Sequence, residues 1–384
     1  MSGVVIIGAG QGGFQAAASL RSEGYSGPVL LIGEEAGLPY QRPPLSKTYL
    51  KSGDEGALAL RPAAFYETQN ITLRTGLRAD RIDRARQVVV CGDTEFPYDH
   101  LILATGTRNL RPPIPGIEHA LDLRTLADAA RLRGALDGVQ RVGVIGGGFI
   151  GLEFAAVARS LGREVTVAEA APRLMARAVS PAMSERFAAK HREMGTEIIL
   201  GDGVTAIDAV GFTLSSGRRV NADLILLAAG VRPNTELAWE AGLEVANGIL
   251  VNDQLLTSDP AISALGDCAS FPDHRSHHLI RLESVQAAAD HARLIAKRIV
   301  HGPSAPYHAV PWFWSDQADW KLQIAGLARP EDSAEILPDG SVIRLKGDIV
   351  TAVETVNNAK VHMMARKRMA GATPMTRESF AAPV

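Results

Sequence analysis

The sequence predicts an α/β fold made of two doubly wound, Rossmann-like domains and a small C-terminal α+β domain. Three observations support this prediction. Residues 4–34 read as a strand, a glycine-rich turn, a helix and a second strand. The same order recurs over residues 142–169, and from Val310 onward several short β-like runs follow one another. Strands that alternate with helices form parallel sheets, whereas consecutive short strands form antiparallel ones.

The glycines of the first repeat, in the stretch GAGQGG, have the spacing of a dinucleotide-binding fingerprint. We expect Gly8 to make the tight turn, Gly10 to let the backbone approach a pyrophosphate, and Gly13 to let the helix pack on the strand. Glu34, which follows Gly13 by 21 residues, can accept hydrogen bonds from a ribose. Such a motif alone also arises by chance, but the flanking strands and the spaced carboxylate favour a nucleotide site.

The second repeat contains GGGFIG, from Gly146 to Gly151, and Glu169 ends its second strand 18 residues after Gly151. Two independent fingerprints in one chain are hard to reach by chance, so we predict two dinucleotide sites. Glu153, near the start of the helix, has a simpler interpretation as well, because a carboxylate there interacts favourably with the helix dipole.

Composition excludes several classes of protein. The chain has 384 residues, 46% of them hydrophobic, and a net charge of -2. We therefore expect two or three domains with ordinary cores, and no global field that points to nucleic acid or to a membrane surface. The sequence has no apolar run long enough to span a bilayer and no signal peptide that we recognise. Its distant cysteines, Cys91 and Cys268, form no CxxC pair, which favours a reducing cytoplasm.

The segments between the repeats are less specific. Residues 39–49 form a loop, stiffened by two adjacent prolines, that presents Arg42 and Lys47. Its simplest interpretation is a solvated basic loop. The apolar runs 71–73 and 87–91 predict short strands of a hairpin layer.

After the second repeat, the apolar run 261–265 is followed by Asp267. Open α/β sheets bind ligands at the carboxyl ends of their strands, which favours a ligand contact for Asp267. The alternative is that Asp267 caps a following helix. Residues 284–300 predict an amphipathic helix, because their apolar side chains recur at helical spacing.

The C-terminal part of the chain predicts a small antiparallel sheet closed by a basic helix over residues 359–369. Trp312 and Trp314 precede this sheet and would be packing residues in most proteins. The residues after 369 contain two prolines and little periodicity, which predicts a loose tail. The β-like runs of the sheet are 321–325, 333–337, 341–345 and 349–356.

Along nearly its whole length the chain resembles the FAD-dependent, NADH-using ferredoxin reductases that serve bacterial haem monooxygenases and Rieske dioxygenases, of the putidaredoxin reductase type. The motifs that carry the resemblance occur in the order of the family. They are GAGQGG, YQRPPLSKTYL, LILATGTR, LRTLADA, VIGGGFIGLE, AAGVRPN, LGDCASF, RLESVQAA and PWFWSDQ.

The resemblance implies a glutathione-reductase-like arrangement of three domains. Residues 1–109 and 235–309 would form a split FAD-binding domain, and residues 110–234 an NAD-binding domain. Residues 310–384 would form the α+β domain that covers the flavin. The segment between Leu327 and Ser341 is shorter than is usual in the family, which implies a trimmed hairpin in this last domain.

The resemblance also implies which residues form the sites. Lys47 would lie by the reacting nitrogen of the flavin and pair with Glu153, and these two are the expected catalytic residues. NADH would contact Gly146, Gly148, Gly151, Glu153 and Glu169. FAD would contact Gly8, Gly10, Gly12, Gly13, Glu34, Arg42, Lys47, Ala79, Arg124, Asp267, Val285 and Trp314.

The implied partner is an acidic 2Fe–2S ferredoxin, bound transiently by a monomer or weak homodimer. One candidate docking surface is the helix over residues 284–300, where Arg293 and Lys297 share a face with Arg298 beside it. A second is the basic stretch 366–368. The alternative function is an NADH oxidase, or an NADH-sensing interaction flavoprotein of the same fold without a ferredoxin. A flavin disulfide reductase is rejected because it needs a redox cysteine near the flavin, and the stretch directly after Glu34 has Ser46 and no cysteine.

Overall fold

The computed structural model describes residues 3–276, 278–303 and 305–381. The chain divides into two compact units. The first unit comprises Met1–Gln41, Glu55–Arg108 and Arg232–Ala309, and the second unit comprises Arg42–Asp54, Asn109–Val231 and Val310–Val384. The first two residues of the expected FAD-binding domain and the last three of the C-terminal domain lie outside the described residues.

The helices after the two glycine turns and those over residues 284–300 and 359–369 form where the sequence pattern predicts them, with bounds that differ by a few residues. Other helices of the described ranges include a short one in the predicted loose tail. None of the helices in the described ranges is both long enough and apolar enough to span a bilayer. In chain order the helices are α1 Gln11–Ser22, α2 Thr48–Ser52, α3 Ala63–Thr68, α4 Leu126–Leu136, α5 Phe149–Ser160, α6 Pro181–Glu193, α7 Glu236–Glu240, α8 Val285–His301, α9 Ala359–Met369 and α10 Arg377–Ala381.

The strands are short, apart from β6, and most coincide with apolar runs of the sequence. In chain order they are β1 Gly3–Ile7, β2 Val29–Gly33, β3 Ile71–Thr75, β4 Arg81–Asp83, β5 Val88–Cys91, β6 Thr94–Leu103, β7 Thr107–Asn109, β8 Arg141–Ile145, β9 Glu164–Glu169, β10 Thr196–Leu200, β11 Val204–Asp208, β12 Gly211–Leu214, β13 Arg219–Asn221, β14 Leu224–Leu227, β15 Val231–Pro233, β16 Val245–Ala246, β17 Gly248–Leu250, β18 Ile262–Ala264, β19 Ala269–Pro272, β20 Leu279–Ile280, β21 Trp312–Gln317, β22 Trp320–Gly326, β23 Ser333–Ile336, β24 Val342–Lys346 and β25 Ile349–Val356.

The main sheet of the first unit is largely parallel, with strand order β3-β2-β1-β6-β5-β4 and with β18 paired to β6. Strands β1 and β18 are buried along their whole length, as strands covered on both faces are. The hairpin layer predicted around 87–91 is confirmed by the antiparallel pairing of β4, β5 and β6. The run 71–73, however, was wrongly assigned to that layer. It belongs to β3, which pairs parallel to β2 at the opposite edge of the sheet.

The second unit repeats the parallel theme and adds antiparallel sheets. A four-stranded sheet has the order β10-β9-β8-β14, and β11, β12 and β13 form a separate meander. The C-terminal sheet has the order β21-β22-β25-β24-β23 and is antiparallel throughout, as predicted. Helix α9 packs on β22 and β25.

The chain after α9 is ordered by its own contacts, so the prediction of a loose tail is wrong as far as residue 381. Met375 and Phe380 are buried in one apolar cluster with Met369. The Arg368 guanidinium donates hydrogen bonds to the carbonyl oxygens of Ser379 and Phe380. These apolar and hydrogen-bond contacts together hold a segment whose sequence has no helical period. Residues 382–384 of the predicted tail lie outside the described residues.

A buried carboxylate joins the C-terminal sheet to α6 within the second unit. Glu354, on β25, is 1% exposed and accepts hydrogen bonds from the Ser180 backbone N–H at 2.8 Å and from the Ser180 hydroxyl at 2.6 Å. Ser180 is the N-cap of α6, and its hydroxyl accepts a bond from the N–H of Met183. Arg344 lies 3.5 Å from Glu354. Burial raises the pKa of Glu354, while Ser180 and Arg344 act to lower it.

We expect Glu354→Ala to lower the free energy of unfolding by at least about 2 kcal/mol, because it removes the acceptor of buried donors on Ser180 and Arg344. Since the pKa of Glu354 is raised in the folded state, its contribution is largest at low pH and is lost as the pH rises through that folded pKa. The stability gap between the wild type and the variant should therefore be wider at about pH 5.5 than at about pH 8.

Calorimetry at the two pH values measures this gap. Glu335→Ala is the matched control, because Glu335 lies on the same sheet but pairs with Arg377 at the surface, where an ion pair adds little. A Glu354→Ala protein that melts like the control at both pH values would contradict a bracing role for this carboxylate.

Candidate functional site

The first glycine turn leaves the N-terminus of α1 open. Gly8 has φ +107°, a value that disfavours any side chain, and Gly10 is the N-cap, with extended backbone and no side-chain cap. A Cβ placed on Gly10 would meet nothing within 4 Å, so there is free space in front of the helix. The first turn of α1 contains no acidic residue. Uncapped N–H groups at the positive end of a helix are a suitable site for a phosphate.

The second glycine turn has the same construction at the start of α5. Gly146 has φ +112°, and Gly148 is an extended N-cap without a side-chain cap. A Cβ on Gly148 would again meet nothing within 4 Å. In contrast, a Cβ on Gly151 would lie 2.2 Å from the carbonyl oxygen of Gly146, which is the close helix-to-strand approach predicted from the motif.

The two spaced carboxylates differ in their surroundings. Glu34 is 70% exposed, and its carboxylate lies 3.6 Å from the guanidinium of Arg78, the residue before Ala79. Glu169 is half-buried and accepts backbone hydrogen bonds from Gly147 and Ala171, both at 2.7 Å. Glu169 therefore braces the glycine turn itself, in addition to any contact with a ribose.

Asp267 lies in a tight turn, Gly266–Cys268, directly after β18. A strand follows this turn, so the alternative in which Asp267 caps a helix is wrong. The Thr107 hydroxyl donates to Asp267 at 3.3 Å. The turn is held from behind by His291 on α8, whose Nδ1 accepts a bond from the Gly266 N–H. Burial lowers the pKa of His291 to about 3, so this ring is neutral and able to accept.

Val285 opens α8, and Ser284 is the N-cap, whose hydroxyl accepts from the N–H of Ala287 at 3.0 Å. Of the three basic residues predicted to lie together on this helix, two are at the surface and one is not. Arg293 is 57% exposed and pairs with Asp290 at 2.8 Å, and Lys297 is exposed. Arg298 is buried instead, and its guanidinium donates to the Ser263 hydroxyl. It is three residues after the buried Ile295 and on the same side of the helix, so it takes no part in a surface patch.

In the second unit the structure brings Lys47 and Glu153 together. Their charged atoms are 2.7 Å apart, and the side chains are 17% and 3% exposed. The Lys47 ammonium also donates to the Pro43 carbonyl oxygen at 3.0 Å, and the Ser46 hydroxyl donates to Glu153 at 2.5 Å. The simple interpretations of both residues are therefore wrong: Lys47 does not lie on a solvated loop, and Glu153 faces the protein interior, not a helix terminus.

The other predicted FAD-binding residues of the second unit are Arg42, Arg124 and Trp314. The Arg42 guanidinium donates to the Arg124 carbonyl oxygen at 2.7 Å. Trp314 is on β21, and its ring centroid is 5.4 Å from that of Trp312. The Arg366 guanidinium stacks over the Trp312 ring at 4.6 Å, and the Arg368 guanidinium donates to carbonyl oxygens of α10. Of the basic stretch 366–368, only Lys367 is therefore exposed.

Of the residues predicted to bind FAD, eight lie in the first unit and four, Arg42, Lys47, Arg124 and Trp314, lie in the second. All those predicted to bind NADH lie in the second unit. Sequence reasoning missed His291 and the hydroxyl groups around Glu153. Only the motifs LSK and PWFWSDQ, which contain Ser46 and Ser315, marked the second of these groups.

Comparison with known proteins identifies the family. The chain matches the model of pyridine nucleotide-disulphide oxidoreductases over residues 2–292 and that of the reductase C-terminal domain over residues 312–384. The chain belongs to the pyridine nucleotide-disulphide oxidoreductase family.

Relatives within this family are similar over nearly the whole chain. Rhodocoxin reductase of Rhodococcus erythropolis is 47% identical, with 98% of this chain and 92% of that protein aligned. Rubredoxin–NAD(+) reductase of Pseudomonas putida is 40% identical, with 93% and 96% aligned. The structure of a covalent putidaredoxin reductase–putidaredoxin complex matches with a TM-score of 0.94 at 37% identity, covering 99% of this chain and 96% of that one.

These findings confirm the predicted fold class, the resemblance to reductases of the putidaredoxin reductase type, and the assignment as an oxidoreductase that uses FAD and NAD(H). The structure fits both cofactors at their pyrophosphates. Each glycine turn presents an uncapped helix N-terminus with open space at Gly10 or Gly148, which a backbone-bound pyrophosphate requires.

We expect NADH to be preferred over NADPH by about tenfold or more in kcat/KM, because the Glu169 carboxylate would repel a 2′-phosphate. Arg173, the nearest candidate to bind such a phosphate, donates instead to the carbonyl oxygens of Val179 and Ala176. Glu169→Ala should narrow the preference. Glu169→Gln separates charge from bracing, since it keeps an acceptor for one backbone N–H.

Steady-state kinetics with both nucleotides measure this preference. Glu164→Ala is the control, because Glu164 is exposed at the opposite end of the same strand. Equal efficiency of the wild type with NADH and NADPH would contradict the role of Glu169.

Proposed function

We propose that this protein passes electrons from NADH through FAD to a 2Fe–2S ferredoxin that serves a monooxygenase or a ring-hydroxylating dioxygenase. The observation that carries the proposal is the combination of two open glycine turns with two inert cysteines. Cys91 and Cys268 are both free and buried. Burial raises the pKa of Cys91 to about 11 and also raises that of Cys268, so neither is a ready thiolate.

A redox disulfide is therefore absent from the described residues as an outlet for electrons. The two electrons that arrive from NADH must then leave to an external acceptor, and an iron–sulfur protein takes them one at a time. FAD, when bound, supplies the chemistry that accepts a hydride and releases single electrons. The names of the similar proteins, which are reductases of rhodocoxin, putidaredoxin and rubredoxin, support this class of acceptor.

In this proposal the chain has the three domains given above, with residues 1–109 and 235–309 for FAD, 110–234 for NAD and 310–384 as the capping domain. The residues named above for FAD and for NADH keep those roles. We further propose an acidic, transiently bound ferredoxin, a monomeric or weakly dimeric enzyme, and a cytoplasmic location, which suits two free thiols.

The test is the reduction of cytochrome c by NADH, with and without a purified 2Fe–2S ferredoxin. Fast reduction that depends on the ferredoxin is expected. Equal rates without it, together with rapid consumption of oxygen, would favour an NADH oxidase instead. Reduction of rubredoxin but not of the ferredoxin would support the reductase activity but contradict the ferredoxin as its acceptor.

Lys47 is proposed to act on the flavin, and its surroundings show how its charge is held. The Pro43 carbonyl oxygen and the Glu153 carboxylate fix the ammonium from two sides. A charge held in place before reaction stabilises a developing negative charge at little cost in reorganisation. The paired carboxylate keeps the lysine from being a lone, partly buried cation.

Lys47→Met should therefore retain bound FAD but slow the reduction of the flavin by NADH by about tenfold or more. Stopped-flow absorbance under anaerobic conditions measures this rate. Lys51→Met is the matched control, because Lys51 is an exposed lysine on α2, four residues further along. If Lys47→Met and the control reduce at the same rate as the wild type, Lys47 has no role in hydride transfer.

The docking surface is proposed to be the exposed face of α8, reduced to Arg293 and Lys297 now that Arg298 is known to be buried. Charges at the rim of an interface speed association through a screened field. Arg293→Glu and Lys297→Glu should each raise the KM for ferredoxin severalfold at about 0.05 M salt, with a smaller effect at about 0.5 M.

Reduction of ferricyanide, which needs no docking, serves as the control and should not change. Lys367→Glu probes the alternative surface on α9. A loss of ferredoxin reduction in Lys367→Glu, with normal kinetics in the two α8 variants, would move the docking surface to the C-terminal sheet.

A further inference from the structure

A continuous set of hydrogen bonds runs through the interior of the second unit from Glu153 to α6. The Ser315 hydroxyl donates to Glu153 at 2.8 Å, and the Gln317 side-chain nitrogen donates to the Ser315 hydroxyl oxygen at 3.1 Å. The Gln317 oxygen lies 2.9 Å from Nε2 of His191. Ser315, Gln317 and His191 are completely buried. Ser315 and Gln317 face the same way because they are two residues apart on β21.

The donors and acceptors in this set of hydrogen bonds fit together in only one direction. Glu153 forms an ion pair with Lys47, and a carboxylate can only accept. The Ser315 hydroxyl must therefore give its proton to Glu153, which leaves its oxygen to accept from the amide nitrogen of Gln317. The amide oxygen then points to His191, which must donate from Nε2.

A second contact supports this direction independently. The Gln317 side-chain nitrogen also lies 3.6 Å from Sδ of Met175, and a thioether can only accept. The opposite orientation of the amide would place its oxygen against both Met175 and the Ser315 oxygen. Burial lowers the pKa of His191, which is consistent with a neutral ring that carries its proton on Nε2.

Met175 extends this set of hydrogen bonds to the second glycine turn. Its backbone N–H donates to the Gly147 carbonyl oxygen at 2.9 Å, and the Gly147 N–H in turn donates to Glu169. Gln317 is thus in contact both with Met175, whose backbone is bonded to the second glycine turn, and with the hydroxyl that holds Glu153.

We propose that Ser315 and Gln317 are positioning residues, which act through Glu153 to hold the Lys47 ammonium in place for hydride transfer. This inference rests on the proposed roles of Lys47 and Glu153. Ser315 fixes one carboxylate oxygen, so that the other is aimed at Lys47 and Ser46. Gln317 fixes the direction of the Ser315 proton, and His191 and Met175 fix the orientation of Gln317.

A double-mutant cycle on the FAD-loaded protein tests whether Ser315 acts through Lys47. Ser315→Ala alone should slow flavin reduction by NADH by about tenfold, the effect of one buried charge-assisted hydrogen bond. In the Lys47→Met background the same change should have no further effect, because the group through which Ser315 acts is gone. Ser315→Thr, which keeps the hydroxyl, should restore most of the rate.

Thr355→Val is the matched control, because it removes a buried hydroxyl of the same sheet that donates only to the Gln323 carbonyl oxygen. Full additivity of Ser315→Ala and Lys47→Met would overturn the positioning role while leaving the proposed role of Lys47 intact. No effect of Lys47→Met alone would overturn both.

The direction of the hydrogen bonds from Glu153 to His191 can also be measured independently of activity. Nitrogen-15 spectra of histidine-labelled protein report which ring nitrogen carries the proton, and His191 is assigned by the loss of its signals in His191→Gln. We expect a neutral ring protonated on Nε2 in the wild type. A ring protonated on Nδ1, or a charged ring at neutral pH, would overturn the proposed direction and with it the role of Gln317.

Discussion

The close approach of a helix to a strand at each glycine turn is the constraint on which the rest of the structure depends. A Cβ on Gly13 would lie 1.8 Å from the Gly8 carbonyl oxygen, and a Cβ on Gly151 would lie 2.2 Å from that of Gly146. No side chain fits at these distances, so only glycine lets α1 and α5 start directly over the ends of β1 and β8. Within each unit, the approach places the helix N-terminus, with its uncapped N–H groups, just beyond the end of its own strand.

Glu153 is buried because α5 is covered on the side away from this strand as well. Residues two apart on a helix face opposite sides, so Glu153 points away from the strand that Gly151 approaches and toward β21, on which α5 also packs. A buried carboxylate is costly unless it is paired and hydrogen-bonded. Lys47, Ser46 and Ser315 meet that need, and they come from two segments far apart in sequence. The carboxylate therefore ties the proline-stiffened loop, α5 and the C-terminal sheet into one arrangement of the second unit.

Much of the fold could be predicted, because it depends on local patterns. Two repeats of strand, glycine turn and helix, and the strand spacing of the C-terminal sheet, are visible in the sequence. Errors arose where partners are distant. The run 71–73 has the pattern of any short strand, and only its pairing with β2 places it in the parallel sheet. Arg298 looked exposed by charge, but its position on α8 turns it toward Ser263. The set of hydrogen bonds from Glu153 to His191 joins residues up to 162 apart in sequence, and no local sequence pattern indicates such a contact.

We expect NADH to reduce one FAD per chain, with no disulfide to share the electrons. Anaerobic titration with NADH, followed by chromatography of the released flavin, tests this expectation most directly. The released flavin should be FAD, and its visible absorbance should be lost after one equivalent of NADH per flavin. A requirement for two equivalents would reveal a second two-electron centre, and release of FMN would remove the dinucleotide from the first glycine turn; either result would contradict the account.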